Sequence, residues 1–396
     1  MDRRLIVLAA GMFAIGTDSF VVAGILPEVS KSLGVPISVA GQMVTLYALS
    51  YALLSPVVAA TAAHWPRKRL PLAGLAVFVL GNLVTAVAPT IEWVLASRLI
   101  AGLGAAMFSP TATAAGASLV PPEKRAHALA IVIAGLTSAT ALGSPMGTFI
   151  GGLGDWRYTM WFVTAIGLAS SVAVYLMLPN LPALPAVTLR QRLAPLKDNR
   201  VLLTLLTTLT AYAGLFAVYT YVGVTFDRAT GGKQDVLAGL LLLWGLAATA
   251  GNLMAGKLTD RFGSRTIIYS AIALGALDFA LLPWSSAQYW SAAVAIVVWG
   301  VCGWGMLVPQ QHRLISLAPA SAPLLLGLNS AALYIGVSAA GVIGAASITL
   351  LDRHQIGLVG AALLVLAFFI AQLAGWLIRR ETADSRPLRA ARGDVA

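Results

Sequence analysis

Long apolar runs are the feature of this sequence that most limits how it can fold. A helix needs about 20 apolar residues to cross the hydrocarbon core of a bilayer. Twelve runs of this kind occur, separated by clusters of charged residues, proline and glycine. Hydrophobic residues make up 59% of the 396 residues and charged residues only 10%, with a mean hydropathy of +0.85. A soluble protein with a polar surface does not reach these values, so the sequence predicts an all-α integral membrane protein.

The predicted spans cover most of the chain. They are 5–27, 38–61, 70–88, 93–118, 126–152, 158–178, 201–226, 236–257, 265–284, 289–311, 322–350 and 356–378. The first run follows charged residues, as the apolar part of a signal peptide does. It is too long for one, however, and no small-residue cleavage site closes it before Pro27. We therefore interpret it as a retained first span.

The longest polar linker divides the spans into two sets of six. Residues 179–200 contain four prolines and several charged residues. The predicted organisation is an N-terminal six-helix bundle over 1–178, a cytoplasmic linker over 179–200, a C-terminal six-helix bundle over 201–378 and a basic, disordered cytoplasmic tail over 379–396. Two equal halves are typical of a transporter built from two six-helix pseudo-repeats. Hydropathy alone leaves other twelve-span proteins open.

The distribution of Lys and Arg predicts the orientation. With the N-terminus inside, 20 of the 26 basic residues lie in cytoplasmic segments, 5 lie on the opposite face, and Arg98 lies within a span. Cytoplasmic loops carry the excess of positive charge in membrane proteins. Both termini are therefore predicted to be cytoplasmic, in a multi-pass protein of the bacterial inner membrane.

Other classes of protein are less compatible with this chain. A net charge of +11 would suggest a nucleic-acid partner in a soluble protein, but here the charges lie in short segments between apolar runs. Cys302 is the only cysteine, and the four histidines lie near loops or span ends, so we expect no metal and no cofactor. A membrane-embedded enzyme is a remote alternative, because no H-E-x-x-H, G-x-S-x-G or phosphate-loop motif is present. The energy source, if any, is predicted to be an ion gradient.

One motif lies after the eighth predicted span. Gly256, Asp260, Arg261, Gly263 and Arg265 form a string that resembles the signature of major facilitator superfamily transporters. Its glycine would let two helices approach at their cytoplasmic ends, and its aspartate would cap a helix or pair with a base. The resemblance implies a gating role for these five residues.

The same signature is incomplete between spans 2 and 3. The basic end survives as Arg67, Lys68 and Arg69, but Ala63 stands where the family has an acidic residue. The resemblance thus puts the gating role of the motif on Asp260 and the C-terminal half.

Two further strings resemble the same family. In span 4, Arg98 precedes a run of small residues, and an intramembrane charge needs a reason because it costs roughly 2.5–3.5 kcal/mol on insertion scales. Arg98 either snorkels to an interface or belongs to a charge network. Span 5 is similar to the antiporter element of the family, with Gly143, Pro145, Gly147, Gly151 and Gly152 predicted to form a bent, tightly packed seam. Ser144 departs from that element.

The first span, with Asp18 amid apolar residues, resembles the first helix of drug:proton antiporters, in the branch with arabinose, purine and chloramphenicol exporters. Of the fifteen acidic residues, thirteen fall at span ends, in loops or in tails, which leaves Asp18 in span 1 and Asp278 in span 9. An intramembrane carboxylate is a functional candidate by default. The resemblance places span 1 at the central cavity and span 9 outside it, so we rank Asp18 first. A purely structural role for Asp18, bridging helices, stays open.

The predicted function follows from these residues. We expect a secondary transporter that exports small amphipathic, drug-like molecules by proton antiport through alternating access, working as a monomer with Asp18 and Arg98 in proton coupling. The alternative is an exporter or facilitator of sugars or purine nucleobases and nucleosides. The predicted substrate-binding residues are polar or aromatic groups within spans, which orient ligands in apolar pockets: Asp18, Gln42, Tyr47, Tyr51, Tyr212, Tyr219, Asn252, Asn329 and Tyr334.

Overall fold

The computed structural model describes residues 2–62, 65–66, 68–121, 124–180 and 188–384, with the side chains of 126, 320 and 381–384 excepted. Within these ranges twelve helices are long and apolar enough to cross a membrane. They are α1 (Arg3–Leu33), α2 (Ile37–Thr61), α3 (Arg69–Val87), α4 (Ile91–Ser118), α5 (His127–Gly151), α6 (Arg157–Met177), α7 (Asn199–Thr220), α8 (Gln234–Phe262), α9 (Ser264–Ser285), α10 (Tyr289–Leu317), α11 (Ala322–Leu350) and α12 (Arg353–Arg380). Each corresponds to one predicted span.

Several helices continue beyond their predicted ends, and in two of them a glycine directly follows the last helical residue. Helix α1 passes through Pro27 and ends at Gly34, which has a φ of 64° and donates its N–H to the Ser30 carbonyl. Helix α8 continues to Phe262 and ends at Gly263, with a φ of 80°. Proline is tolerated inside membrane helices because neighbouring helices re-satisfy the freed backbone groups, whereas these positive φ angles favour glycine. The predicted ends at residues 27 and 257 were therefore too early.

The segments around the bundles lie partly outside the predicted limits. Within the predicted linker, Leu189–Leu193 is helical and α7 already begins at Asn199. The Asp198 side chain caps α7 by accepting from the Arg200 N–H, and its hydrogen bonds to the Arg200 side chain lower the pKa of this carboxyl. The last helix extends to Asp384, so the predicted tail starts as helix. Residues 385–396 and Ala63 lie outside the described residues.

The helices pair in the same way in both halves. In the first half α1 packs on α5, α2 on α4, and α3 on α6; in the second half α7 packs on α11, α8 on α10, and α9 on α12. Each pair in the second set is the first set shifted by six helices. This repetition confirms two six-helix pseudo-repeats. Helices α1 and α7 are the most buried of the twelve, while α6 and α9 are among the least buried, so span 9 is peripheral as expected.

The two halves meet through α2 with α11 and through α5 with α8. Glycines allow this contact: a Cβ at Gly245 of α8 would lie 2.5 Å from the Ala141 Cα of α5, and a Cβ at Gly341 of α11 would overlap Thr45 of α2. These positions lie between the middle of the bundle and the end away from the termini. We call that end the opposite side and the end with both termini the terminal side. The halves are thus packed together on the opposite side.

The terminal side differs. A Cβ at Gly256 of α8 or at Gly327 of α11 would have no atom within 4 Å. Gly256 is the first residue of the span-8 motif, and the expectation that it brings two helices together is wrong for this conformation, because among the described residues no atom of a neighbouring helix lies within 4 Å of a Cβ at this position. The motif also belongs to the end of α8 and the start of α9 rather than to a long loop, since Gly263 alone separates the two helices.

The predicted orientation can be tested with single cysteines. Cys302 is buried, so a Cys302→Ser background leaves new cysteines as the reporters. Lys197 in the linker and Lys233 between α7 and α8 are both exposed. With cytoplasmic termini, a membrane-impermeant maleimide added to intact spheroplasts labels Lys233→Cys, and labels Lys197→Cys only after permeabilisation. The reverse pattern would exclude this orientation.

The glycine contact between α5 and α8 gives a second prediction. Gly245→Ala places a methyl group against the backbone of Thr140 and Ala141, so it disfavours closure of the opposite side. In the Cys302→Ser background, Thr45→Cys, which is buried between α2 and α11, should react faster with an impermeant maleimide when Gly245→Ala is added. Gly256→Ala on the same helix is the matched control and should leave the rate unchanged. Equal rates in both variants would show that Gly245 does not control this contact.

Candidate functional site

A buried ion pair lies in the first half of the molecule. The Arg98 NH1 of α4 lies 2.8 Å from the Asp18 Oδ1 of α1, and both side chains are excluded from solvent. Arg98 therefore does not snorkel to an interface. Its charge is compensated within the bundle, which is what an intramembrane arginine requires. The sequence placed these residues in different spans, and the fold brings them into direct contact.

Asn82 of α3 completes the ion pair. Its side-chain oxygen accepts from Arg98 NH1 at 3.2 Å, and its amide nitrogen lies 3.4 Å from Asp18 Oδ2 and 3.1 Å from the Phe78 carbonyl. Asn82 is fully buried. One amide thus bonds both charged partners and links α1, α3 and α4. Sequence reasoning missed Asn82, although an amide in the middle of an apolar span is itself a signal that a buried partner exists.

Tyr47 of α2 lies on the other side of the guanidinium. The Arg98 Cζ is 4.7 Å from the centroid of the Tyr47 ring, a cation–π distance. The Tyr47 hydroxyl lies 3.1 Å from the Ser19 hydroxyl of α1. Arg98 Nε is buried without a hydrogen-bond partner among the described residues. Tyr47 is thereby the one predicted substrate-binding aromatic that contacts the charged pair.

The antiporter element of α5 packs against the same helix, α1. Gly143, Gly147 and Gly151 are spaced by four residues, and Cβ atoms there would collide with Thr17, Val21 and Ile25 of α1 respectively. A π-helical turn at Ala139–Gly143 precedes Pro145. These contacts confirm the bent, tightly packed seam. Gly152 instead approaches Gln234 of α8.

Ser144, the departure from the antiporter element, connects the halves. Its hydroxyl lies 3.3 Å from the Tyr219 hydroxyl of α7, and Tyr219 also donates to the Phe20 carbonyl of α1 at 3.1 Å. Tyr212, also predicted to bind substrate, lies nearer the terminal side of α7 than Tyr219. Its hydroxyl donates to the Gly303 carbonyl of α10 at 3.2 Å. Both tyrosines belong to an aromatic cluster in the second half, which Phe20 enters from the first half.

The remaining predicted binding residues are not all brought together. Tyr51 and Tyr334 stack across the α2–α11 interface with centroids 4.0 Å apart. Gln42 lies near the start of α2, on the opposite side of the bundle. Its amide donates to the Ser38 carbonyl of the same helix, so it does not join the Asp18 pair. Asn252 has a buried carbonyl oxygen without a partner among the described residues.

Asn329 belongs to a separate polar cluster near the terminal side of the second half. Its side-chain oxygen accepts from Thr208 at 2.8 Å, and Thr208 in turn accepts from the Gln310 amide at 3.1 Å. Within the described residues, Asn329 Nδ2 and Gln310 Oε1 are buried without partners. This cluster thus retains one donor and one acceptor. Sequence reasoning missed Gln310 and Thr208.

The predicted gating motif is assembled differently from the expectation. Asp260 is exposed and makes no helix cap and no ion pair within the described part of the chain. Arg261 lies over the Phe262 ring and Arg265 over the Tyr269 ring. The pairing predicted for Asp260 is therefore absent in this conformation. Arg313, which the sequence assigned to a cytoplasmic segment, is instead buried in the last turns of α10 and donates to the Ala371 carbonyl of α12.

Asp278, the rival carboxylate, lies on peripheral α9. Its Oδ2 is buried, and no hydrogen-bond partner for that atom occurs in the described ranges. It is remote from Arg98 in the helix packing, because α9 contacts α10 and α12. Asp18 thus lies on the most buried helix of the first half, and Asp278 lies on a peripheral helix of the second.

Comparison with known proteins agrees with the twelve-helix fold. The family model of the Major Facilitator Superfamily matches residues 8–341, from α1 into α11. The chain belongs to the Major Facilitator Superfamily. It is therefore a membrane transporter rather than an enzyme, and it works on small molecules within the bilayer. The fold is similar to a crystal structure of a bacterial homologue of the human lysosomal transporter Spinster in an inward-facing and occupied conformation. The TM-score is 0.75 and the sequence identity 16%, and the match covers 94% of this chain and 96% of that one.

Three relatives carry names that describe transport or drug resistance. The inner membrane transport protein YdhP of Escherichia coli K12 is 29% identical, over 88% of this chain and 90% of the relative. A chloramphenicol resistance protein of Streptomyces lividans is 33% identical, over 66% and 68%. A probable sugar efflux transporter of Helicobacter pylori P12 is 27% identical, over 92% and 93%. Homologues of this transporter thus include bacterial inner-membrane proteins.

The ion pair makes a prediction about stability. Removing one partner of a buried pair leaves an uncompensated charge and costs about 3–5 kcal/mol. Asp18→Asn and Arg98→Gln should each lower the melting temperature of the purified transporter in detergent, and the double variant should recover part of the loss because it buries no net charge. Thermal unfolding followed by intrinsic fluorescence measures this. Additive losses in the double variant would mean that the two charges are not coupled.

Proposed function

We propose that this superfamily member exports small amphipathic molecules by proton antiport, with Asp18 as the proton-accepting group. The observation that carries the proposal is the fully buried Asp18–Arg98 pair on the most central helix of the first half. A carboxylate in this position has two states with different contacts: as an anion it binds Arg98, and as a neutral acid it does not need to. A change of protonation therefore changes how α1 is attached to α3 and α4.

Alternating access supplies the second part of the proposal. The halves are packed together on the opposite side, through α2 with α11 and α5 with α8. Transport requires a second arrangement in which these contacts open while the terminal side closes. Helix α1 is bonded to the rest of the first half through Asp18. It contacts the second half through Phe20, which meets Tyr219 of α7. Proton uptake at Asp18 would thus act on the helix that also holds the halves together.

The cargo and the direction of transport rest on the relatives and on the charge distribution. One relative is named for chloramphenicol resistance and another for sugar efflux. The aromatic surroundings of Tyr212 and Tyr219 favour an amphipathic cargo over a strongly hydrated one. With cytoplasmic termini, the terminal side would take up cargo from the cytoplasm, and the opposite side would release it outside.

A second candidate cargo class is sugars or purine nucleobases and nucleosides. It is favoured by the polar cluster of Thr208, Gln310 and Asn329, whose unpaired donor and acceptor suit a hydroxyl group or a base edge. In this alternative, Asp18 hydrogen-bonds the cargo, and no proton is exchanged. Measuring proton release or uptake when substrate binds to the purified protein separates the two cargo models, because absence of any proton exchange would exclude antiport.

Transport into inside-out vesicles tests the proposal directly. Uptake of a panel of antibiotics, sugars and nucleosides is compared with and without an imposed pH gradient. We expect a gradient-dependent uptake of one class in the wild type, and a fall to background in Asp18→Asn, because the amide cannot accept the proton. Asp278→Asn is the matched control and should retain uptake. Gradient-driven uptake that survives in Asp18→Asn would overturn the coupling role of Asp18.

A further inference from the structure

Phe20 of α1 lies among aromatic rings of the second half. Its centroid lies 6.3 Å from Phe216, 6.0 Å from Tyr219, 6.2 Å from Trp244 and 5.9 Å from Trp304. These four residues, which we call the aromatic cage, come from α7, α8 and α10, and Phe20 itself is 5% exposed. A single phenyl ring of the first half thus lies among four aromatic rings of the second half.

The cage has a vacant hydrogen-bonding group. The Trp244 ring contacts Tyr219 at 4.7 Å and Trp299 at 5.8 Å, so it lies inside the cluster. Its Nε1–H is buried and donates to no acceptor in the described part of the chain. A buried N–H without an acceptor is unfavourable, by the cost of its lost hydration. The Phe20 side chain, whose ring centroid lies 6.2 Å from that of Trp244, has no acceptor and cannot pair this N–H.

The cage must lose Phe20 when the halves separate. Alternating access moves the first half relative to the second, and Phe20 and the cage lie on different halves. The apolar walls would then face water, which is unfavourable. A ligand ring of the size of phenyl would cover the same surfaces. The cage presents only aromatic ring surfaces, whose negative faces repel an anion, and Arg98 is already engaged with Asp18, so the cage favours a ring without a negative charge.

We propose that the aromatic cage of Phe216, Tyr219, Trp244 and Trp304 is a substrate pocket for an aromatic ring that has no negative charge and bears a hydrogen-bond acceptor, and that Phe20 occupies it when no substrate is bound. The inference rests on the proposed transport function and gives it a substrate class. Phe20 competes with the substrate for the cage. The substrate's acceptor takes the Trp244 N–H, which Phe20 leaves unpaired.

Equilibrium binding to the purified transporter in detergent tests this, with radiolabelled chloramphenicol as a neutral nitroaromatic probe and arabinose as the non-aromatic comparison. A site that is mostly occupied by its own side chain binds ligand more weakly by the fraction that is free. Phe20→Ala should therefore tighten chloramphenicol binding by about tenfold or more, with arabinose binding unchanged. Phe20→Leu should give an intermediate value, and it decides the question if Phe20→Ala is not monodisperse.

Two further variants separate the cage from general loosening. Trp244→Phe in the Phe20→Ala background keeps a ring and removes the N–H, and it should weaken chloramphenicol binding by about fivefold, as for one lost hydrogen bond. Phe368→Ala removes a phenyl group from the contact between Phe368 of α12 and Tyr269 of α9. It should leave chloramphenicol binding unchanged. Chloramphenicol binding that is not tightened by either Phe20 variant, or that is tightened equally by Phe368→Ala, would overturn the proposal.

These measurements use no proton gradient, so they are independent of the transport assay. Loss of gradient-driven uptake in Asp18→Asn, combined with binding that ignores Phe20 and Trp244, would leave proton antiport standing and remove the cage as its substrate pocket. Binding that follows both residues, combined with uptake that ignores the gradient, would support the cage and remove proton antiport.

Discussion

The contact between Asp18 and Arg98 is the interaction on which the first half depends. An arginine in the middle of a bilayer needs a counter-ion within reach, and Asp18 lies 2.8 Å away. Because the partners come from α1 and α4, and Asn82 of α3 bonds both, the pair determines how these three helices are assembled. The Tyr47 ring of α2 covers the guanidinium. Four helices of the first half therefore meet at one charge pair.

Successive residues of α1 face different neighbours, which explains why this helix is buried on all sides. Each residue turns the helix by about 100°, so Asp18 and Phe20 point in nearly opposite directions. Asp18 faces α3 and α4, Ser19 faces Tyr47 of α2, and Phe20 enters the second half. Thr17 and Val21 pack on the glycines of α5. These contacts to different neighbours are therefore all made by one short stretch of a single helix.

Hydropathy was sufficient to predict the twelve helices, because lipid exposure imposes a long apolar run on each span. The same reasoning found Asp18 and Arg98, since a charge within such a run stands out. It could not find Phe20 and Trp244 as neighbours, or Asn82 as the partner of the ion pair. Aromatic and small polar residues occur throughout the spans, and only the packing of helices decides which of them meet. The motif at Asp260 shows the converse, because the string is recognisable in the sequence but its aspartate has no ion-pair partner in the part of the chain that the structure describes.

The placement of Asp18 and Phe20 on one helix gives proton exchange and substrate exchange a common physical basis. In the proposed cycle, neutralising Asp18 weakens the attachment of α1 to Arg98, while removing Phe20 from the cage weakens its attachment to the second half. Neither attachment alone requires the other to break. They become linked because only Ser19 lies between Asp18 and Phe20, and a helix does not deform appreciably over less than one turn. A substrate ring that replaces Phe20 would thus displace the same helix that a proton releases from Arg98.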